Sequence, residues 1–146
     1  MKYLIYISQA SRAMSHDDLL ALLETSRIRN QQNKITGLLL YKGSPIGDDT
    51  GYFMQLLEGP LDEVTATQKR IELDDRHKSL LVLEDGDVEA RTFPSWSMGF
   101  RHVDEEKLAK FDGYADLGSP DFWDRAQSGN TKDALEMMRF FSKEDV

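Results

Sequence analysis

Short apolar runs alternate with helix-like stretches in an order that few folds accept. Ile, Leu and Tyr crowd residues 2–8, which predicts a first strand. Ser15 reads as an N-cap with Asp17 and Asp18 in the first turn, where the helix dipole favours acid. Leu19, Leu22, Leu23 and Ile28 recur near helical spacing, so a helix is expected over about 16–30. Residues 35–41 form a second strand whose unbroken apolarity predicts burial on both faces. Residues 42–51 make a turn with three Gly, one Pro and two Asp, and residues 52–58 a third strand. Pro60 opens a second helix, with Leu61, Val64 and Ile71 expected to face inward. A fourth strand over 79–84, an Asp85-Gly86 turn and a fifth strand over 88–93 complete the pattern. The order β-α-β-β-α-β-β predicts an α+β, ferredoxin-like sandwich: a mixed five-stranded sheet with two helices on one face.

Residues 101–146 read as helical additions over 104–111, 121–127 and 131–141. The last has Thr131 as N-cap and Ala134, Met137, Met138 and Phe141 on one stripe. Docking of these helices on the other face of the sheet is expected. The Met137, Met138, Phe140, Phe141 cluster could also serve as a dimer or effector contact.

Composition narrows the partners. Lys plus Arg number 18 and Asp plus Glu 26, a net charge of −8, which argues against nucleic acid or an anionic membrane. No cysteine is present, so disulfides, thiol nucleophiles and thiolate metal sites are excluded. No metal-ligand spacing, paired acids or phosphate-binding glycine loop stands out. The N-terminus reaches Ser8 and Gln9 too early for a secretory apolar region, and no apolar run nears the roughly 20 residues of a membrane span. A cytoplasmic location is the expectation.

Within the apolar segments sit polar side chains that require partners. Tyr6 lies in the first strand, Asn30 at the end of the first helix and Gln55 in the third strand. Trp96-Ser97-Met98 follows the last strand. A buried amide or phenol left unpaired costs about 1–3 kcal/mol, so their convergence points to a shared polar ligand. By period-two alternation Leu4, Tyr6 and Ser8 share one strand face, as do Phe53, Gln55 and Leu57. The first and third strands are central neighbours in the expected topology, so Tyr6 and Gln55 can meet. A glutamine can bridge a phenol and a heteroaromatic ring, and an asparagine amide matches an imide edge. A flavin between the two helices satisfies this set, and other heterocycles would satisfy it too.

Five segments carry a family resemblance: Tyr3 to Ser8, Asn30 before Ile35-Thr36-Gly37-Leu38-Leu39, Phe53 to Gly59, Asp74-Asp75-Arg76-His77, and Phe93 to Met98. In this order and spacing they resemble the BLUF domain, a blue-light sensor that uses FAD. The resemblance implies FAD as cofactor, with FMN or riboflavin as substitutes, and a photoreceptor without catalytic turnover. It implies that Tyr6 gives an electron and a proton to the excited flavin and that Gln55 rearranges its hydrogen bonds in response. Asn30 would hold the imide edge, with Arg29, Arg76 and His77 as further cofactor contacts. Trp96, Ser97 and Met98 would relay the change.

Two departures accompany the match: the long acidic 42–51 segment, and Arg29 where the family often has asparagine. The expected division is a sensor over 1–100 and a helical extension over 101–146, with no output domain of its own. A receptor of that kind requires a separate effector protein, a homo-oligomer (dimer or larger), or both. Two rivals remain: a ferredoxin-like oxidoreductase or cofactor-free monooxygenase using Tyr6 and His77, marked by turnover in darkness, and a flavin-binding interaction module without a light response. Read singly, each residue has a plainer role. Tyr6 is then a satisfied core tyrosine, Asn30 the left-handed residue closing its helix, and Asp74-Asp75 a solvated helix end.

Overall fold

The computed structural model describes residues 1–11, 14–43, 51–75, 77–94, 96–111, 114, 117, 120–129 and 134–142. Along the chain run β1 (Lys2–Ala10), α1 (His16–Gln32), β2 (Thr36–Lys42), β3 (Tyr52–Gly59), α2 (Leu61–Glu72), β4 (His77–Asp87) and β5 (Gly99–His102). Then come α3 (Glu105–Leu108), α4 (Pro120–Gln127) and α5 (Ala134–Ser142). The sheet order is β4-β1-β3-β2-β5. All neighbours are antiparallel except β2 and β5, which makes the sheet mixed, as expected. The third strand lies beside the first, and Tyr6 stands directly opposite Gln55.

Local chemistry fixes the first helix. Ser15 accepts the Asp18 N–H at 3.1 Å while its own N–H donates to Asp18 Oδ2 at 3.0 Å, a reciprocal capping box. The helix runs past Asn30, which stays in its last turns, and the left-handed residue is Lys34 at φ 59°. The Ile35 N–H returns to the Asn30 carbonyl at 2.9 Å, so Asn30 has its side chain free to point elsewhere.

Alternation divides the strand residues between two cores. Leu4, Tyr6, Leu39, Phe53 and Leu57 face α1 and α2, packing with Leu19, Leu23 and Val64. Tyr3, Ile5, Ile7, Leu38, Leu40, Met54 and Leu56 face the other way. There Leu108, Phe122, Met137, Met138 and Phe141 cover them, so the C-terminal helices dock on the domain's own sheet. β2 is buried along almost its whole length, as its unbroken apolarity predicts.

Several expectations need correction. Residues 88–93 do not form the fifth strand; they belong to a connector, and the fifth strand is Gly99–His102. That connector spends its N–H groups elsewhere: Val88 on the Met1 carbonyl, Thr92 and Phe93 on the Glu58 carboxylate. Asp85-Gly86 lies inside β4, because Gly86 sits opposite Tyr3, where a Cβ would stand 3.0 Å from the Tyr3 ring. Leu61 is 63% exposed, since it occupies the first position of α2, while Val64, three residues on, is buried. Thr131 and most of the 42–51 turn lie outside the described residues.

Gly37 on β2 tolerates no side chain. A Cβ there would stand 1.9 Å from the Leu56 carbonyl oxygen of β3, a backbone atom that cannot turn aside. Gly37→Ala is expected to cost about 3 kcal/mol or more, read as a shift of the denaturant midpoint. A loss under about 1 kcal/mol would contradict this close approach.

Candidate functional site

Between α1 and α2, above the centre of the sheet, lies a cleft with about 680 Å³ of empty space, its open mouth included. Its floor is Tyr6 from β1, Leu39 from β2 and Phe53, Gln55 and Leu57 from β3. One wall is Leu22, Thr25, Ser26, Arg29 and Asn30 of α1; the other is Thr67, Arg70 and Ile71 of α2, continued by Asp74.

The polar residues form one connected set. The Tyr6 hydroxyl donates to Gln55 Oε1 in a buried bond. Gln55 Nε2 donates to Met98 Sδ at 3.2 Å. Asn30 Nδ2 donates to the Ser97 carbonyl at 2.6 Å, and Arg27 Nε to the Met98 carbonyl at 2.9 Å. Burial raises the Tyr6 pKa well above that of an ordinary phenol, and the Asp74 carboxylate raises it further. The phenol therefore keeps its proton at neutral pH and donates it in the bond to Gln55.

The expected site residues are mostly brought together. Tyr6, Asn30, Gln55 and Arg29 line the one cleft. Met98, 2% exposed, reaches Gln55, and Ser97 takes part through its carbonyl. Trp96 goes elsewhere: it stacks on Phe93 at 5.7 Å between centroids, lies under the Arg101 guanidinium, and packs with the opposite core. His77 opens β4 opposite Ala10; its side chain and all of Arg76 lie outside the described residues.

Sequence reasoning missed Thr25, Ser26, Thr67, Arg70, Asp74 and Arg27. A helical-period signal was available for the walls. Positions 22, 25, 26, 29 and 30 recur on one face of α1, as do 67, 70, 71 and 74 on α2 and its continuation. Asp74, which alone reads as a solvated helix end, is part of the wall.

This donor set fits a planar heterocycle. Leu22, Leu39, Phe53, Leu57 and Ile71 offer apolar surface for ring faces, while the Gln55 and Asn30 amides offer both donors and acceptors for ring edges. Arg29 and Arg70 add positive charge suited to a phosphate-bearing tail. A ferredoxin-like α+β domain with such a cleft between its two face helices defines a binder of a ring-shaped cofactor.

Comparison with known proteins gives the family. Residues 1–99 match the BLUF family, described as sensors of blue-light using FAD, and the chain belongs to it. Photoactivated adenylate cyclase subunit beta of Euglena gracilis is 39% identical over 115 residues, 78% of this chain and 12% of that protein. This chain thus spans about an eighth of that relative's length. Among solved structures, the dark state of the BLUF protein BlrB matches 96% of both chains at 26% identity and a TM-score of 0.68. A bacterial light-regulated adenylyl cyclase matches at 35% identity and a TM-score of 0.60, over 70% of this chain and 28% of that one. The domain is a blue-light sensor, and the family's chromophore is the flavin FAD. Among the described residues, no helix is long and apolar enough to cross a membrane.

Proposed function

We propose that Tyr6, Gln55 and Met98 are the switching element of this sensor, that residues 1–100 hold the flavin, and that residues 101–146 carry the signal outward. One observation carries the reading: the unbroken chain from the Tyr6 hydroxyl through both ends of the Gln55 amide to Met98 Sδ. Tyr6, Asn30, Gln55, Arg29 and Arg70 would hold the flavin, with Arg76 and His77 as further contacts. Bound there, the flavin supplies blue-light absorption and, once excited, an oxidant.

Tyr6 is the electron donor, because its phenol is the oxidisable group in the cleft floor and is already bonded to the amide that must respond. As Tyr6 is oxidised, its proton moves along the existing hydrogen bond to Oε1 of Gln55. The phenoxyl oxygen left behind has no hydrogen to donate, so the bond that held the amide is lost and the amide turns; the electron and a proton then return to Tyr6 and restore the phenol. Turning withdraws Nε2 from Met98 Sδ and changes the hydrogen bonds offered to the chromophore, read as a small red shift. Met98 precedes β5, whose neighbour Val103 donates its N–H to the Tyr41 carbonyl at 2.9 Å before the chain enters α3. That path connects the amide to the C-terminal helices.

The output is an effector. The similarity to sensors in light-regulated cyclases supports a nucleotide cyclase or a comparable signalling protein as the class, engaged through the C-terminal helices or through a homo-oligomer. The sensor itself performs no turnover in this reading.

Tyr6→Phe tests the proton and electron source. It removes one oxygen, leaves Gln55 Oε1 lacking a donor at a cost of about 1–2 kcal/mol, and leaves the cleft in place. The variant is expected to bind flavin and to lose essentially all of the light-induced red shift. A full, reversible shift in Tyr6→Phe would sink the proposal.

A further inference from the structure

The connector between β4 and β5 delivers Met98 to Gln55, and it is fastened at a second point that the light chemistry does not touch. Glu58 lies three residues beyond Gln55 on β3, and its side chain is fully buried. The carboxylate accepts the N–H of Thr92 at 2.8 Å, the N–H of Phe93 at 2.6 Å and the hydroxyl of Thr36 at 3.0 Å. The Thr36 hydroxyl in turn accepts from Arg91 Nη1 at 2.9 Å. The same guanidinium donates to the Glu58 carbonyl at 3.1 Å and the Lys34 carbonyl at 2.7 Å.

Burying a carboxylate is costly unless its oxygens are met by donors, and here two consecutive backbone amides and a hydroxyl meet them. A carboxylate can accept from both amides because neither oxygen carries a hydrogen. Further along, the Trp96 carbonyl accepts from the Gly37 N–H of β2 at 3.1 Å. β3 therefore grips the connector at both ends: Glu58 at Thr92 and Phe93, Gln55 at Met98.

We propose that Glu58, braced by Arg91, is a positioning residue for the switch: it fixes the seat of the connector, keeps Met98 within reach of Gln55, and so sets how fast the rearranged state returns. This rests on the blue-light reading above. Return requires the sulfur to meet the amide again, and a connector pinned at Phe93 leaves only a short span in which Met98 can stray. Without the Glu58 carboxylate, the stretch between Arg91 and Trp96 loses both of its amide anchors, and the Gly37 N–H holds the Trp96 carbonyl with no support from that side.

Glu58→Gln keeps the volume and replaces one acceptor oxygen by an NH2 that confronts a backbone N–H. In the flavin-loaded full chain it is expected to keep the dark spectrum and the size of the red shift. Dark recovery is expected to slow at least fivefold, and amide hydrogen exchange at Gly37 to quicken at least tenfold. Arg91→Met, at a half-buried site, should move both in the same direction by less, and it decides the matter if Glu58→Gln fails to fold. Met137→Ala, on the opposite face, should lower stability yet recover at the parent rate. Recovery within twofold of the parent in both connector variants, or equal slowing in Met137→Ala, overturns the proposal. If the parent shows no shift at all, the failure belongs to the blue-light reading. Gly37 exchange then decides the clamp alone: unchanged in Glu58→Gln it is overturned, tenfold faster it stands.

Discussion

Gln55→Leu is expected to take up flavin and remain spectrally inert under blue light. Leucine fills nearly the same volume but has neither an acceptor for Tyr6 nor a donor for Met98, so both links of the chain vanish together. The Tyr6 hydroxyl, in a residue 3% exposed, loses its bond to Gln55, which costs about 1 kcal/mol. That loss lowers the melting temperature without unfolding the domain, because Leu4, Leu57 and Phe53 still pack around the site. The expected loss of the light-minus-dark difference is complete, in contrast to the rate effect expected at Glu58. A Gln55→Leu protein that still shifts would show that the amide is not the responding group.

Phe122→Ala should be strongly destabilising, although it lies outside the sheet. Phe122 is fully buried, packs at 5.9 Å between centroids from Tyr114, and belongs to the core that Ile5, Ile7, Leu38, Leu40 and Leu56 share with the C-terminal helices. Removing a buried phenyl group costs about 3–5 kcal/mol. For a chain of this size that corresponds to a fall of about 10 °C in Tm by calorimetry. A fall of a degree or two would mean that α4 is not part of the cap. In the proposed relay, helices packed on the sheet in this way would move with the sheet or with the β5 strand that leads into them.

Much of this was legible in the sequence because it rests on local periodicity. Alternation put Tyr6 and Gln55 on one face of their strands, and the element order made those strands neighbours; register then set them opposite each other. Ser15 and Asp18 announced the start of α1 by their spacing alone. β5 was not legible. Gly99-Phe100-Arg101-His102 has neither alternation nor strand-forming composition, and it exists because β2 offers an open edge. Residues 88–93 misled for the converse reason, since their hydrogen bonds are taken by Glu58 and Met1 and not by a neighbouring strand. Glu58 reads in the sequence only as the last residue of the third strand, because the two amides it accepts from lie more than thirty residues downstream. The separation of Trp96 from Met98 depends on how the connector turns after Phe93, which no spacing rule encodes. The helix-borne cleft residues Thr25, Ser26, Thr67, Arg70 and Asp74 share helical faces in the sequence, but each taken singly carries no signal that sets it apart from a solvated helix position.

Whether a phenol and a sheet amide convert light into a hydrogen-bond change is decided by the absorption spectrum of the flavin-loaded protein before, during and after blue illumination. A yellow protein is expected, with a visible band that moves slightly to the red in the light and returns in the dark. A protein that binds flavin but whose band stays in place under illumination, or that takes up no flavin at all, would contradict the proposed switch.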